Sequence, residues 1–229
     1  MIFVFVSSYP MIYTSNSELV HEERMPYSSD INSNKNSNDI IEYGITKVEE
    51  KYEIPDNIKI DVKQCSASIA GKYIPSSKSI IICQEFIRYI EQKYKELNLS
   101  DYSKSKDATI LFILYHEIAH MFIDVKNLPV VGNEEIASDQ FAALMLLEDE
   151  LLDEHLEAYK KLIDVVDDNV PAWDEHPSYK QQYYNLACLL YGYNNDDTLA
   201  KELHSRADRC NYEYNNAKEG WFMLLNNYE

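Results

Sequence analysis

Leu114-Tyr115-His116-Glu117-Ile118-Ala119-His120 is the stretch on which the reading of this chain turns. It holds two histidines four positions apart, with a glutamate directly after the first: the pattern HExxH. At 3.6 residues per turn, His116 and His120 project from one helix face, one turn apart. Two imidazoles so placed can hold one zinc ion at about 2.0–2.1 Å per nitrogen. Glu117 lies one position round the helix, where its carboxylate reaches a metal-bound water instead of the metal and can act as general base. At this composition the pattern is expected by chance roughly 0.015 times. Ala108 to Tyr115 carries no charge, so the helix bearing the motif is predicted to be buried. An unpaired His-Glu-His set there would be costly, because buried polar groups need partners. A metal ion is one such partner; core hydrogen bonds are the other.

A catalytic zinc takes three protein ligands and keeps one position open, so a third is expected downstream on another element. Asn133-Glu134-Glu135-Ile136-Ala137-Ser138-Asp139 is the candidate segment. Glu135 and Asp139 stand at i and i+4 on one helix face. Glu135 is the expected ligand. Asp139 is expected to accept the second ring N–H of His116 and fix its tautomer. Glu134, paired with Ser138 on the adjacent face, is the alternative ligand, and either glutamate also suits an acidic helix N-terminus. Attack on a carbonyl further needs a donor for the developing oxyanion. His176, in Asp174-Glu175-His176-Pro177, is the candidate, with carboxylates near to orient it; Tyr179, Tyr183 and Tyr184 are alternatives. His21, His155 and His204 sit in polar stretches and are read as solvated.

Around this centre the pattern changes from strands to helices. Ile58 to Val62 alternates apolar and polar, and Ser79 to Cys83 is a short apolar run; both predict strands, with Gly71 and Pro75-Ser76-Ser77 marking the turn region between them. Helices are predicted over Gln84–Leu97, over Lys106–Val125 with Ser105 as N-cap, and from Glu134, capped by Asn133, to about Glu150. Further helices are expected near Leu151–Val166, Ser178–Tyr191, Thr198–His204 and Arg206–Asn226. The fold class is therefore α+β, mainly helical, with a small N-terminal sheet. Ser28 to Asp39 is polar and of low complexity and reads as a linker. Residues 1–44 are taken as an extension and the folded domain as 45–229.

Composition sets the outer bounds. The chain has 229 residues and a formal net charge of −18, with 21 lysines and arginines against 39 aspartates and glutamates. That length suits one domain with a real core. The acidity argues against nucleic acid and anionic lipid, and attracts divalent cations or basic substrates. There are five glycines and no GxGxxG or GxxxxGKS/T, so phosphate-cradling loops have no support. No apolar stretch is read as long enough for a membrane span, which takes about 18 residues. Cys65, Cys83, Cys188 and Cys210 form no CxxC; they fall as two local pairs, compatible with two disulfides or with four buried thiols. Ile2 to Val6 is apolar but is broken by Ser7, Ser8 and Pro10 and preceded by no lysine or arginine, a poor match to a secretory signal.

HExxH on one helix with ExxxD on the next resembles the glutamate zincins. A narrower resemblance is carried by His116 to His120, Leu128 to Gly132, Glu134 to Ala142, Asp174 to Pro177, Tyr183 to Gly192, Arg209-Cys210, Glu213-Tyr214 and Trp221. These motifs, in this order, are similar to the DUF4344 metallopeptidase family over about Ile45 to Leu225; the turn from Cys65 to Pro75 departs from its pattern. The resemblance implies a zincin-like domain, a zinc ion, and a peptide or protein substrate. It also implies the pairs Cys65–Cys83 and Cys188–Cys210. Each would close a loop of about 20 residues, worth roughly 3 kcal/mol in the chain-entropy model, and would favour a periplasmic or extracellular location.

The resulting expectation is a zinc-dependent hydrolase, a metalloendopeptidase, with His116, His120 and Glu135 on zinc and Glu117 and His176 as catalytic groups. Two alternatives are a zinc-containing module that acts by binding only, and a cytoplasmic regulatory protease with reduced cysteines that cleaves one partner.

Overall fold

The computed structural model describes residues 36–65 and 69–227. Its elements run α1 (Ser37–Glu49), β1 (Lys59–Lys63), β2 (Gly71–Ile74), β3 (Ser79–Cys83), α2 (Gln84–Glu96), α3 (Tyr102–Val125), α4 (Glu134–Glu148), α5 (Leu152–Ile163), α6 (Tyr179–Asn194), α7 (Asp197–Leu203) and α8 (Ala207–Asn227). The architecture is α+β and mainly helical, as expected. The sheet has the order β1-β3-β2. β1 runs parallel to β3, from Lys59 opposite Ser79 to Lys63 opposite Cys83. β2 is an antiparallel edge strand, with Gly71 opposite Ile82 and Ile74 opposite Ser79.

α3 is the axis of the molecule. It contacts α1, α2, α4, α5, β2 and β3, and residues from Ala108 through Tyr115 are all buried. A helix enclosed on every side is apolar all round instead of striped. By length and composition α3 is apolar enough to cross a bilayer, contrary to the reading that no stretch qualifies. Most of it (78% of the apolar window) is buried inside the fold, as in a core helix. Its N-cap is Asp101, whose carboxylate accepts from the Lys104 N–H at 3.0 Å, and not Ser105. Ser105 is buried one turn in, its hydroxyl donating to the Asp101 carbonyl and to Glu154.

Two elements depart from the sequence reading. α1 begins at Ser37, so the fold starts before Ile45 and the end of the expected linker is helical. Its Ile40, Ile41 and Val48 are buried. Gly44 lets its backbone approach α3: a Cβ there would lie 2.6 Å from Leu114 and 2.7 Å from Leu111. β2 occupies the region where the sequence predicts a turn. The apolar start Ile2–Val6, read as a poor secretory signal, and His21, read as solvated, lie outside the described residues.

Long-range ties hold α4 and α6 in place. Tyr43 and Tyr115 donate to the two oxygens of Asp149, at 2.8 and 3.1 Å, pinning α1 and α3 to the end of α4. Phe141 on α4 packs against Phe122, Tyr52 and Trp221, and the Trp221 indole donates to the Ala137 carbonyl at 3.1 Å. Disulfides Cys65–Cys83 and Cys188–Cys210 join the segment after β1 to the end of β3, and α6 to α8, the pairing that the family resemblance implies.

His204 is exposed as expected, but His155 is 3% exposed. Its ring lies between Phe112 (4.5 Å) and Tyr159 (5.6 Å), and Nδ1 meets the Thr109 hydroxyl at 3.1 Å. Burial pushes this imidazole down to about 3. Between that value and the ordinary one near 6.5, the unfolded chain holds a proton that the fold excludes, so stability falls as pH falls through this window. The substitution His155→Phe keeps the stack and removes this linkage. Its melting temperature is expected to drop less than the wild type's between pH 7 and pH 5 in thermal denaturation. Equal drops would mean that His155 is protonated within the fold.

Candidate metal centre

Three elements bring their polar groups to one point on α3. α3 supplies His116 and His120, and α4 supplies Glu135. The loop before α6 supplies His176. His116 Nε2 lies 3.1 Å from His120 Nε2 and 3.1 Å from Glu135 Oε2. His120 Nε2 lies 3.4 Å from Glu135 Oε1, and His176 Nε2 lies 3.1 Å from Glu135 Oε2. The other nitrogen of each ring faces a carboxylate. His116 Nδ1 meets Asp139 at 3.0 Å, His120 Nδ1 meets Glu134 at 2.7 Å, and His176 Nδ1 meets Asp174 at 2.9 Å.

That outer set fixes the chemistry of the inner one. An ionised carboxylate can only accept, so each Nδ1 carries a proton, and a ring that gives up its second proton turns a bare Nε2 lone pair inward. Two such nitrogens 3.1 Å apart cannot be left facing each other without a proton or a cation between them. Ligands placed tetrahedrally at about 2.0–2.1 Å from a zinc ion stand about 3.3 Å from one another. The spacings among His116, His120 and Glu135 match that value, and their three ligand atoms lie within 4.8 Å of one another. The residues present therefore fit a metal ion.

Charge is concentrated here. Burial alone would lower the His116 imidazole, but its bonds to Asp139 and Glu135 raise it well above the ordinary value. Against the same effect of burial, Glu134 and Glu135 raise His120 to about 9. His176 is likewise raised by Glu135 and Asp174. Glu135, buried yet facing three imidazoles, is held below the carboxylate range. Glu117 behaves in the opposite way: burial pushes it up, despite the nearby histidines. Its Oε2 accepts the backbone N–H of Tyr73 on β2 at 2.6 Å. That strand is anchored to α3 again through the Tyr73 hydroxyl, which donates to Asp124 at 2.7 Å.

Sequence reasoning named most of these residues. Glu135 lies inside the cluster, whereas Glu134 is exposed and faces the outer nitrogen of His120. Asn133 caps α4 as expected, its side chain accepting from Ile136 N–H at 3.2 Å. It also reaches the Glu175 carbonyl at 2.6 Å and so ties the His176 loop to α4. Of the tyrosines offered as alternatives to His176, Tyr183 and Tyr184 pack against each other, and Tyr183 lies under Lys160. Three groups were missed: the Tyr73 N–H on Glu117, Glu134 on His120, and Gln182, which donates to both oxygens of Asp139. A main-chain donor on a four-residue strand leaves no signal in a sequence, and neither does a lone glutamine.

A family model described as "Putative metallopeptidase", DUF4344, matches residues 21–225. No curated protein and no solved structure matches the chain.

Glu135 is the shared acceptor of three imidazoles, so Glu135→Gln in metal-free protein is expected to lower the titration of His120, from about 9 toward its ordinary value. His176 should fall with it. Imidazole C2-proton NMR reads both. An unchanged His120 would assign its raised value to Glu134 alone.

Proposed function

The chain belongs to the DUF4344 family, and on that premise we propose that it is a zinc-dependent hydrolase, a zincin-like metalloendopeptidase acting on peptides or proteins. The observation that carries this reading is the convergence of His116 Nε2, His120 Nε2 and the Glu135 carboxylate, with each outer histidine nitrogen held by a carboxylate. Two imidazoles and one carboxylate at tetrahedral spacing form a donor set that suits zinc. When bound, such an ion supplies Lewis-acid chemistry: it polarises a carbonyl and lowers the pKa of water.

The chain's own groups do the rest. Glu117 has one oxygen fixed by the Tyr73 N–H, which leaves Oε1 to take a proton from the attacking water. Burial raises its basicity toward neutral pH. The same carboxyl then delivers that proton to the leaving amine nitrogen. His176, held through Nδ1 by Asp174, directs Nε2 toward the cluster, where its imidazolium form can donate to the carbonyl oxygen as negative charge develops. Asp139 keeps His116 in its ligating tautomer. β2 is an edge strand, and the bond from its Tyr73 N–H sets Glu117 beside that edge, where an extended substrate backbone would bring a carbonyl near the base. Two disulfides suit an oxidising compartment, periplasmic or extracellular.

The test is zinc content and hydrolysis of a peptide library by wild type and Glu117→Gln. Wild type should carry one zinc per chain. The variant should keep it and lose at least about 100-fold in rate, the low end for general acid–base catalysis. Wild type without stoichiometric metal would overturn the proposal. Metal bound without hydrolysis in either protein would identify a binding module.

A further inference from the structure

A closed ring of side chains crosses four helices behind His116. On α3, Phe112 lies one turn before His116, with ring centroids 6.4 Å apart. Phe112 stacks on His155 of α5, and His155 stacks on Tyr159 of the same helix. The Tyr159 hydroxyl donates to Gln182 Oε1 on α6 at 2.5 Å. Gln182 Nε2 donates to Asp139 Oδ1 at 3.0 Å and to Oδ2 at 2.9 Å. Asp139 Oδ1 returns to α3 at His116 Nδ1, 3.0 Å away.

The chemistry of the ring allows one orientation of the amide. Asp139 as a carboxylate has no proton to give, so it must face the NH2 of Gln182. Tyr159 donates its hydroxyl proton, so it must face the amide oxygen. Tyr159 is itself fixed by burial and by the His155 stack. Asp139 is 3% exposed and is gripped through both oxygens, so its carboxylate plane is set by Gln182 and not by His116 alone. A carboxylate free to rotate would let the His116 ring swing and misplace Nε2 relative to His120 and Glu135. A bond that orients a metal-ligating histidine commonly sets metal affinity by 10–100-fold.

We propose that Gln182, backed by Tyr159, is a positioning residue of the metal centre, fixing Asp139 so that His116 offers Nε2 to the ion. This rests on the zinc reading above. Gln182 touches neither substrate nor metal; it acts through Asp139.

The test is the zinc dissociation constant of the full chain, measured by competition with a chromophoric chelator, for wild type, Gln182→Leu, Asp139→Asn and the double variant. Gln182→Leu is expected to weaken zinc by about tenfold, the lower end of the range for groups that orient a ligand. In the Asp139→Asn background the same change should have little further effect, because the route through the carboxylate is already lost. Tyr159→Phe, which keeps the ring stack, should give a smaller loss in the same direction. It decides the matter if Gln182→Leu does not fold. Wild-type zinc affinity in Gln182→Leu, or the same fold-loss in both backgrounds, would overturn the positioning role and leave the zinc reading intact. Wild type that binds no zinc would overturn both.

Discussion

On the buried side of α3, two imidazole nitrogens, His116 Nε2 and His120 Nε2, stand 3.1 Å apart. Neither can be satisfied by the apolar residues that fill the rest of that helix, and burying them unpaired would cost several kcal/mol. What surrounds them answers this constraint. α4 lies against α3 with its acidic first turn opposite the pair. Carboxylates hold the outer ring nitrogens, and Glu135 completes the inner face. The main chain of β2 takes the remaining carboxylate of the motif, Glu117. Sheet, helices and loop thus meet where the core helix is polar.

The parts of the fold remote from this point fix the rotation of α4. Tyr43 and Tyr115 hold its C-terminal end through Asp149. Trp221 of α8 holds its middle, through the Phe141 ring and the Ala137 carbonyl, and α8 is tied to α6 by Cys188–Cys210. Successive helical residues project about 100° apart. A turn of α4 by about 100° would therefore exchange Glu135 for Glu134 at the centre. Gln182 closes the same frame from α6.

Much of this was legible because the informative features are local. HExxH fixes its own geometry in any helix, and Glu135 with Asp139 at i and i+4 share a face whatever packs on them. The choice between Glu134 and Glu135 was a preference only, since it depends on contacts such as Phe141 with Trp221 across many residues. His155 was misread because Asp153, Glu154, Glu157 and Lys160 make its surroundings polar; the buried stripe it shares with Leu152, Leu156, Tyr159 and Leu162 outweighs that. α1 was missed because Ser and Asn precede its buried isoleucines. β2 was missed because Gly71 and Pro75 bound a strand of only four residues. Cysteine spacing left the connectivity open, and the family pattern pointed to the pairs the structure contains.

The most direct test of the proposed centre is anomalous diffraction at the zinc edge from crystals grown with zinc. The account predicts one peak bonded to His116 Nε2, His120 Nε2 and a Glu135 carboxylate oxygen at about 2.0–2.2 Å, with Asp139 and Glu134 on the outer nitrogens. A peak bonded to Glu134 in place of Glu135, or no peak between the two histidines, would contradict it.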